Sequence, residues 1–563
     1  MKLRNNPFLK GVSHVIVDEV HERDINSDFL LILLREIVRA GVGTKVVLMS
    51  ASVEAQLYVK YFMDRRAGIT EVPCVNVEGH CYPVTEMYLD KICNLIGWRG
   101  MTTEDQGLPG TDHELVTSLL VYLARTQPEG AILVFLPGWD DIMSVTDLLN
   151  HRFRNESRRY LILPLHSMLS SRDQQSVFNV PPPGVRKMIL ATNIAESSVT
   201  IDDVVYVVNT GTVKVKTFDL TKKITHLSTE WSSKASVIQR RGRAGRCQPG
   251  HAYNLFTKEQ FASMDDYQVP EMQRTPLEDL VLQAKLLNPW HKVANFLSRA
   301  LNPPRASAVG SAVDVLNDLG ALDDAESLTP MGKVLAELPI EPVIGRLVLL
   351  GAVLGALDPI LTIAASMGHR DPFVNPPTKR QQADEVRSVM AGGCYSDHLL
   401  VIKAYEKWQE AKREGTEATF VRDNFLHRGT LHMIEGLRGQ FRRHLEDLGL
   451  TEFNQYNVFS SSEPMVRAVL TAGLDRNVMK MAKMLESGGY RSSTSQTQRK
   501  RVRTGFKTIQ DGRVFIHPSS VNSEKNFPSN WFVYYEKVGV ARGRRQGVEL
   551  TLPPLCGAMA TTE

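Results

Sequence analysis

The stretch Gln239-Arg240-Arg241-Gly242-Arg243-Ala244-Gly245-Arg246 puts four arginines and two glycines into eight residues. Arginine offers a planar, permanently charged fork that matches phosphate oxygens in a bidentate way. Glycine permits positive φ and close backbone approach, which a loop wrapped round a phosphate needs. By itself the stretch reads equally well as a solvated basic loop or a general polyanion patch. A second signal decides between these readings. Asp18-Glu19-Val20-His21 follows directly on the apolar run from Val12 to Val17. That run reads as a buried parallel strand, and ligands of open α/β sheets sit at the carboxyl ends of strands. An acidic pair at a strand end and an arginine loop are the two halves of a site for nucleoside-triphosphate hydrolysis.

Working outward, the chain repeats the same alternation. Phe29 to Val38 is a strongly apolar helix, and Lys45 to Met49 a short strand ending in Ser50-Ala51-Ser52. A second cycle has strands at Gly130–Leu136, Leu161–Leu165, Lys187–Ala191 and Val204–Val208. Their turns carry Pro137-Gly138, His166-Ser167 and Thr192-Asn193-Ile194-Ala195-Glu196. Alternating strands and helices predict a parallel sheet covered on both faces. The polar–apolar alternation from Lys214 to Leu227 reads by itself as an ordinary sheet extension. Beyond about Thr257 the pattern is mostly helical, as in Leu277–Leu287 and Pro339–Leu357. From about Val466 short β-like runs return, such as Arg513–Ile516 and Trp531–Tyr535. Between them lies a polar, basic run containing Arg499-Lys500-Arg501. It is a solvated loop or, beside exposed aromatics, a nucleic-acid contact.

At 563 residues the chain exceeds one core, and length suggests about four domains. The net charge of +4 is small for this length, so polyanion binding must come from local clustering. Six scattered cysteines form no disulfide framework and fit a reducing compartment. Cys74, Cys81, Cys93 and His80 lack the paired spacing of a zinc site. No stretch reaches the roughly 20 apolar residues of a membrane span, and the first residues carry no apolar signal core. The expectation is an intracellular protein, with cytoplasm, nucleus and mitochondrion unresolved.

Together these motifs resemble the DEAH-box helicases, in the branch of RNA helicase A. Asp18-Glu19-Val20-His21 with Glu22-Arg23-Asp24 resembles the family's acidic motif, and Ser50-Ala51-Ser52 stands where the family has Ser-Ala-Thr. Phe135–Gly138, Leu165–Ser167, Thr192–Glu196 and Gln239–Arg246 are similar to its later motifs in order and spacing. Leu328-Thr-Pro-Met-Gly332 and Leu338-Pro-Ile-Glu-Pro342 resemble its winged-helix exit and ratchet entry, and Phe515–Val521 its OB-fold signature. The resemblance implies tandem RecA-like α/β domains, the first incomplete, then a winged helix, a ratchet-like helical bundle and an OB-like β-barrel. The expected spans are 1–79, 80–260, 261–336, 337–450 and 451–563.

Phosphoryl transfer to water needs a metal on the phosphates, a positioned water and positive charge at the developing negative charge. ATP and Mg²⁺ are the expected cofactors. Asp18, with Glu19, is the candidate metal contact, and Glu19 also polarises the attacking water. Arg243 and Arg246 are the candidate arginine fingers. The resemblance adds Gln239 at the γ-phosphate or water, Phe178 stacked on adenine, and Asp202 among the nucleotide contacts. It also implies that His21 and Ser50 link hydrolysis to domain closure. Thr192 and Asn193, His166 and Ser167, and the Arg499-Lys500-Arg501 run are the candidate nucleic-acid contacts. The expected partner is RNA, single-stranded or a duplex with an overhang, with DNA as an alternative. Protein partners are not legible.

Two departures stand out. Ser52 replaces threonine but keeps a hydroxyl, and Asn209 stands where the family usually has aspartate, which puts a salt bridge there in question. No G-x-x-x-x-G-K-[ST] phosphate loop occurs in the 563 residues. In the family it lies upstream of the acidic motif, so the expectation is a truncated gene product. Two functions follow: a helicase core coupling ATP hydrolysis to RNA unwinding, or a catalytically inactive RNA-binding scaffold.

Overall fold

The structure is a computed structural model. It describes residues 6, 8–51, 55–77, 79, 82–100, 109–167, 169, 174–196, 200–219, 224–289, 291–367, 371–374, 379–451, 455–485, 502–509, 514–517, 520–522, 529–541, 548–552 and 556–558. The chain divides into two compact units: one of residues 1–217, 227–275 and 299–303, the other of 218–226, 276–298 and 304–563.

The first unit holds two parallel sheets. Strand β1 (His14–Val17) pairs in parallel with β2 (Lys45–Leu48). The crossover helix Ile25–Arg39 buries Leu31, Leu34 and Ile37 beside Tyr58, Tyr61 and Phe62 of the helix Ala55–Phe62. Asp24 starts the crossover helix by accepting from the amides of Asn26 and Ser27, both at 3.0 Å.

The second sheet contains β3 (Val84–Tyr88), β4 (Ala131–Phe135), β5 (Tyr160–Leu165), β6 (Arg186–Ala191), β7 (Val204–Asn209) and β10 (Gly250–Asn254), in the order β3-β10-β7-β4-β6-β5. Every neighbouring pair is parallel. Strands β4, β6 and β7 are buried along their whole length, which is why they read as continuous apolar runs. Lys187 on β6 breaks the run. Its ammonium is fully buried and lies 2.8 Å from Asp203, with the carbonyls of Val177 and Asn179 at 2.8 and 3.1 Å. The motifs hang on the carboxyl ends of these strands. After β7 the chain turns into strands β8 (Thr212–Asp219) and β9 (Ile224–Trp231), which neighbour each other, so the Lys214–Leu227 alternation is a hairpin.

The second unit is helical and then β. Helices Ala306–Asp318 and Pro330–Glu337 flank an antiparallel bridge between Leu322 and Leu328. Gly332 is a close-approach glycine: a Cβ there would stand 1.9 Å from the carbonyl oxygen of Ala321. The apolar run read as one helix over Pro339–Leu357 is two helices, Pro342–Val353 and Leu357–Ser366, parted by Gly355 at φ 73°. Only glycine enters that region cheaply, so the break falls there. Leu347, Ile360, Leu400, Trp408, Ile434 and Leu445 share one core.

The return to β structure comes later than expected. Glu463–Gly473 is a helix, and its Val466, Val469 and Leu470 join the helical core. That spacing of three and four is a helix stripe, while short apolar runs do not distinguish strand from helix. Strands begin at β11 (Val478–Leu485) and continue with β12 (Val502–Thr508), β13 (Val514–Ile516), β14 (Trp531–Tyr534), β15 (Val538–Ala541), β16 (Val548–Leu552) and β17 (Cys556–Ala558). They lie in the order β17-β14-β11-β12-β13-β16-β15. The fold class matches the expectation: α/β sheets, winged helix, helical bundle and a β domain. No described helix is long and apolar enough to cross a membrane.

Candidate functional site

The acidic motif leaves β1 with two residues in the left-handed region, Glu19 at φ 52° and Arg23 at φ 53°. Non-glycine residues persist there only where their surroundings hold them. Asp18 Oδ1 accepts the Glu19 amide at 2.8 Å. The Val20 amide donates to the Met49 carbonyl at 3.1 Å, and the Tyr58 hydroxyl to the Val20 carbonyl at 2.8 Å. Buried Arg23 donates to both carboxylate oxygens of buried Asp28, at 2.9 and 3.0 Å, and to Asn302 Oδ1 at 2.7 Å. The backbone is therefore clamped from several sides, and it presents Asp18 exposed and Glu19 half-buried.

His21 is folded under this turn. Its Nδ1 accepts from the Ala51 amide at 3.3 Å and stands 3.4 Å from Glu19 Oε2, while buried Nε2 has no partner among the described residues. The Ala51 contact joins the acidic motif to the Ser50-Ala51-Ser52 turn. Ser50 is exposed, and Ser52 lies outside the described residues.

The arginine stretch ends the helix Lys234–Gly242, and its four arginines divide by environment. Arg240 is buried: Nε donates to Glu196 Oε2 at 2.9 Å, and Nη1 to Asn209 Oδ1 at 3.0 Å and the Thr212 carbonyl at 3.3 Å. Arg241 pairs with Glu86 on β3 at 2.7 Å. Arg243 is buried and donates to the Glu196 carbonyl. Burial, then repulsion from Arg246, pulls its pKa down to about 10, against the opposing pull of Glu196 and Glu19. Arg246 is exposed, donates to Thr200 Oγ1 at 2.8 Å and forms no ion pair among the described residues. The glycines work differently from the sequence expectation. Neither Gly242 nor Gly245 has a positive φ. Gly245 is needed for close approach, because a Cβ there would stand 2.6 Å from the Tyr82 carbonyl oxygen.

Between the two motifs runs a cleft of about 360 Å³, lined by His21, Asn193, Glu196, Gln239, Arg240 and Glu271 among others. The cleft unites His21, Gln239 and Asn193, three residues singled out in the sequence. Asp18, Ser50 and Phe178 do not line it. Phe178 is 49% exposed at the end of the turn Ser176–Phe178, whose Val177 is fully buried. Asp202 is exposed and accepts from the Cys247 thiol at 3.8 Å, beside Arg246. Thr192 is buried and opens the turn Asn193–Ala195, on which Asn193 is exposed. His166 meets the Trp139 ring edge-on with centroids 5.5 Å apart, and Ser167 is exposed. Arg499, Lys500 and Arg501 lie outside the described residues. No group of three or more metal-ligating side chains occurs among the described residues.

Three residues of this site went unassigned in the sequence. Glu196 ends the Thr192–Glu196 motif and is the one charged residue in it. Arg240 was grouped with its neighbours, whose charge is the same but whose burial is not. Glu271 lies in a stretch without motif character. At Asn209 the salt bridge in question is replaced by a neutral acceptor: Oδ1 also takes the Gly211 amide at 2.9 Å, and Nδ2 is left buried without a partner among the described residues.

Four family models match the chain. They are the helicase conserved C-terminal domain over residues 114–248, the winged-helix helicase-associated domain over 312–340, the ratchet-like helicase-associated domain over 341–431, and the oligonucleotide/oligosaccharide-binding fold over 466–545. The chain is similar to DExH-box ATP-dependent RNA helicase DExH1 of Arabidopsis thaliana, 38% identical over 589 residues, covering 95% of this chain and 57% of that protein. It is likewise similar to ATP-dependent DNA/RNA helicase DHX36 of Homo sapiens, 38% identical, with coverages of 95% and 57%. For ATP-dependent RNA helicase DHX30 of Gallus gallus the identity is 39%, with coverages of 95% and 44%. The chain spans about half the length of the curated relatives it matches.

Proposed function

We propose that this chain, which belongs to the DExH-box family of helicases, is the part of an ATP-dependent RNA helicase that couples hydrolysis to movement on RNA. One observation carries the reading: His21 of the acidic motif and Gln239 of the arginine stretch line the same cleft. A carboxylate that polarises water and an arginine that meets developing phosphate charge belong on opposite sides of one γ-phosphate.

The roles follow from each environment. Glu19 holds the attacking water. Arg246, exposed and with a hydroxyl as its one partner among the described residues, is the more mobile finger, and Arg243 the more fixed one. Gln239 orients the water from the cleft wall, while His21 and Ser50 pass the state of the acidic motif to the turn after β2. Phe178 and Asp202 belong to the base and ribose side. Two exposed or half-exposed carboxylates offer hard oxygen donors, which suit Mg²⁺ held largely through water. When bound, Mg²⁺ neutralises charge on the β- and γ-phosphates. Asn193, His166, Ser167, Thr192 and the Arg499–Arg501 run are the proposed RNA contacts; DNA is a second substrate for a groove that tracks the backbone.

Filter binding of single-stranded RNA to this chain should weaken with salt, with a log–log slope of about −0.7 per phosphate contacted. RNA-stimulated phosphate release should appear when the phosphate-loop segment of a curated relative is fused ahead of the chain. Arg246→Ala should then lower it by about 10³-fold with RNA affinity unchanged. Retained hydrolysis in that variant would refute the finger assignment, and absence of RNA binding would refute the helicase reading.

A further inference from the structure

Residues 265–275 carry none of the motifs, yet they touch the exit of the acidic motif, the arginine helix and β8. At one end, the carbonyls of Asp265 and Asp266 accept the Lys234 and Ala235 amides, and the Asp266 carboxylate takes the Lys234 ammonium at 2.8 Å. These bonds cap the helix that bears the arginine stretch. In the middle, the Glu271 amide donates to the Arg23 carbonyl at 3.1 Å, and Glu271 Oε2 accepts the Ile25 amide at 3.0 Å. Asp24 already satisfies the next two amides of that helix, so Glu271 completes the cap. At the other end, Arg274 donates to the Val269 carbonyl at 3.2 Å and to the Lys216 carbonyl of β8 at 3.3 Å. Tyr267, Gln268, Glu271 and Arg274 also wall the cleft.

We infer that this segment is a strut joining the acidic motif, the arginine helix and the β8–β9 hairpin, with Glu271 as the positioning residue. The left-handed backbone of Arg23 is the reason a strut is needed. Its carbonyl accepts the Glu271 amide and the Ile25 amide donates to the Glu271 carboxylate, so Glu271 holds the backbone on both sides of Asp24. Any displacement of that motif toward or away from the arginine helix must break the Ile25–Glu271 bond or drag the segment. Dragging it pulls on Lys216 through Arg274. The strut therefore converts a shift at Asp18 and Glu19 into a shift at the base of the hairpin. This meaning rests on the helicase reading; the mechanical link itself does not.

Amide hydrogen exchange on the full chain tests the link without nucleotide or RNA. Glu271→Ala should speed exchange over Ile25–Leu31 by about fivefold, the loss of one hydrogen bond, and should also speed it at Val215–Thr217. Arg274→Ala should loosen Val215–Thr217 and reach back to Ile25. Glu271→Gln keeps an acceptor for Ile25 and should restore both regions, and the amides of β4 and β7 should stay as in the parent. If each alanine loosens only its own end, or if glutamine fails to restore exchange, the strut is overturned. RNA binding by the unsubstituted chain is measured alongside; its absence sinks the helicase reading and leaves the exchange result to judge the strut.

Discussion

Arg240 and Glu196 form a buried ion pair, 2.9 Å between Nε and Oε2, in which both charged groups are largely withdrawn from water. Removing one partner of such a pair strands the other. Glu196→Ala should therefore cost about 3–5 kcal/mol, read as a lowered denaturant midpoint. Arg246→Ala, at an exposed arginine with no carboxylate partner among the described residues, should change stability by less than about 0.5 kcal/mol. A similar loss in both variants would show that the four arginines are not divided into structural and functional members.

Asn209 carries an avoidable cost. Its oxygen serves Arg240 and the Gly211 amide, and its buried nitrogen serves nothing among the described residues. Asn209→Asp keeps both acceptor bonds, strengthens them with charge and removes the stranded donor. Stability should rise by about 1 kcal/mol in urea unfolding. A fall would mean that a second carboxylate beside Glu196 costs more than the idle amide.

Adjacent residues Asp397 and His398 should make stability nearly flat in mild acid. Asp397 is buried, and although Arg387, the Ser520 hydroxyl and the Val521 amide all face it, burial, with Asp371 nearby, pushes its pKa up to about 7. Between about pH 4 and 7 the folded chain thus keeps a proton that the unfolded chain releases, so this residue makes stability fall as pH rises. His398 is buried with neither ring nitrogen partnered among the described residues, and its pKa drops to about 3. Between about pH 3 and 6.5 the unfolded chain takes the extra proton, so this residue makes stability rise with pH. Each slope is about 1.4 kcal/mol per pH unit. Asp397→Asn should leave a protein that loses stability steadily from pH 6.5 to 4, and His398→Leu one that gains it over the same range. Parallel curves for the two variants would refute the opposition.

Gly332→Ala should be among the most damaging single-methyl additions in the chain. The added carbon meets a backbone oxygen, which cannot rotate away, so the helix Pro330–Glu337 must shift. A loss of at least about 2 kcal/mol is expected in thermal unfolding, and an unchanged midpoint would show that the helix yields freely.

The parts of the site legible in the sequence are those where chemistry dictates residue type at short range. Asp18 and Glu19 at the end of a β-run, and the arginine cluster, announce themselves because strand ends of α/β sheets hold ligands and clustered arginines suit phosphate. Strands β4, β6 and β7 are legible as continuous apolar runs, whereas the alternation of Lys214–Leu227 does not by itself distinguish a hairpin from a sheet extension. What stayed hidden depends on partners distant in sequence. Arg240 differs from Arg241 only in what packs on it, a residue 44 positions away. Glu271 caps a helix 246 positions earlier. The helix Glu463–Gly473 is hard to tell from a β-run in sequence because its apolar residues are few and its partners lie in the preceding bundle.

The order β3-β10-β7 has a consequence for biosynthesis. Strand β3 is the first of its sheet to leave the ribosome, yet its hydrogen-bonding neighbour in the sheet is β10, the last. At about 5–20 residues per second, the interval between Tyr88 and Asn254 lasts on the order of 10–30 s. Throughout it Val84–Tyr88 has no place in the sheet, and β7 shows an open edge that a chaperone or another nascent chain can reach. A stall in translation just before Gly250 would hold the chain in that unsealed state, whereas one after Gly250–Asn254 has emerged from the ribosome would find the sheet complete.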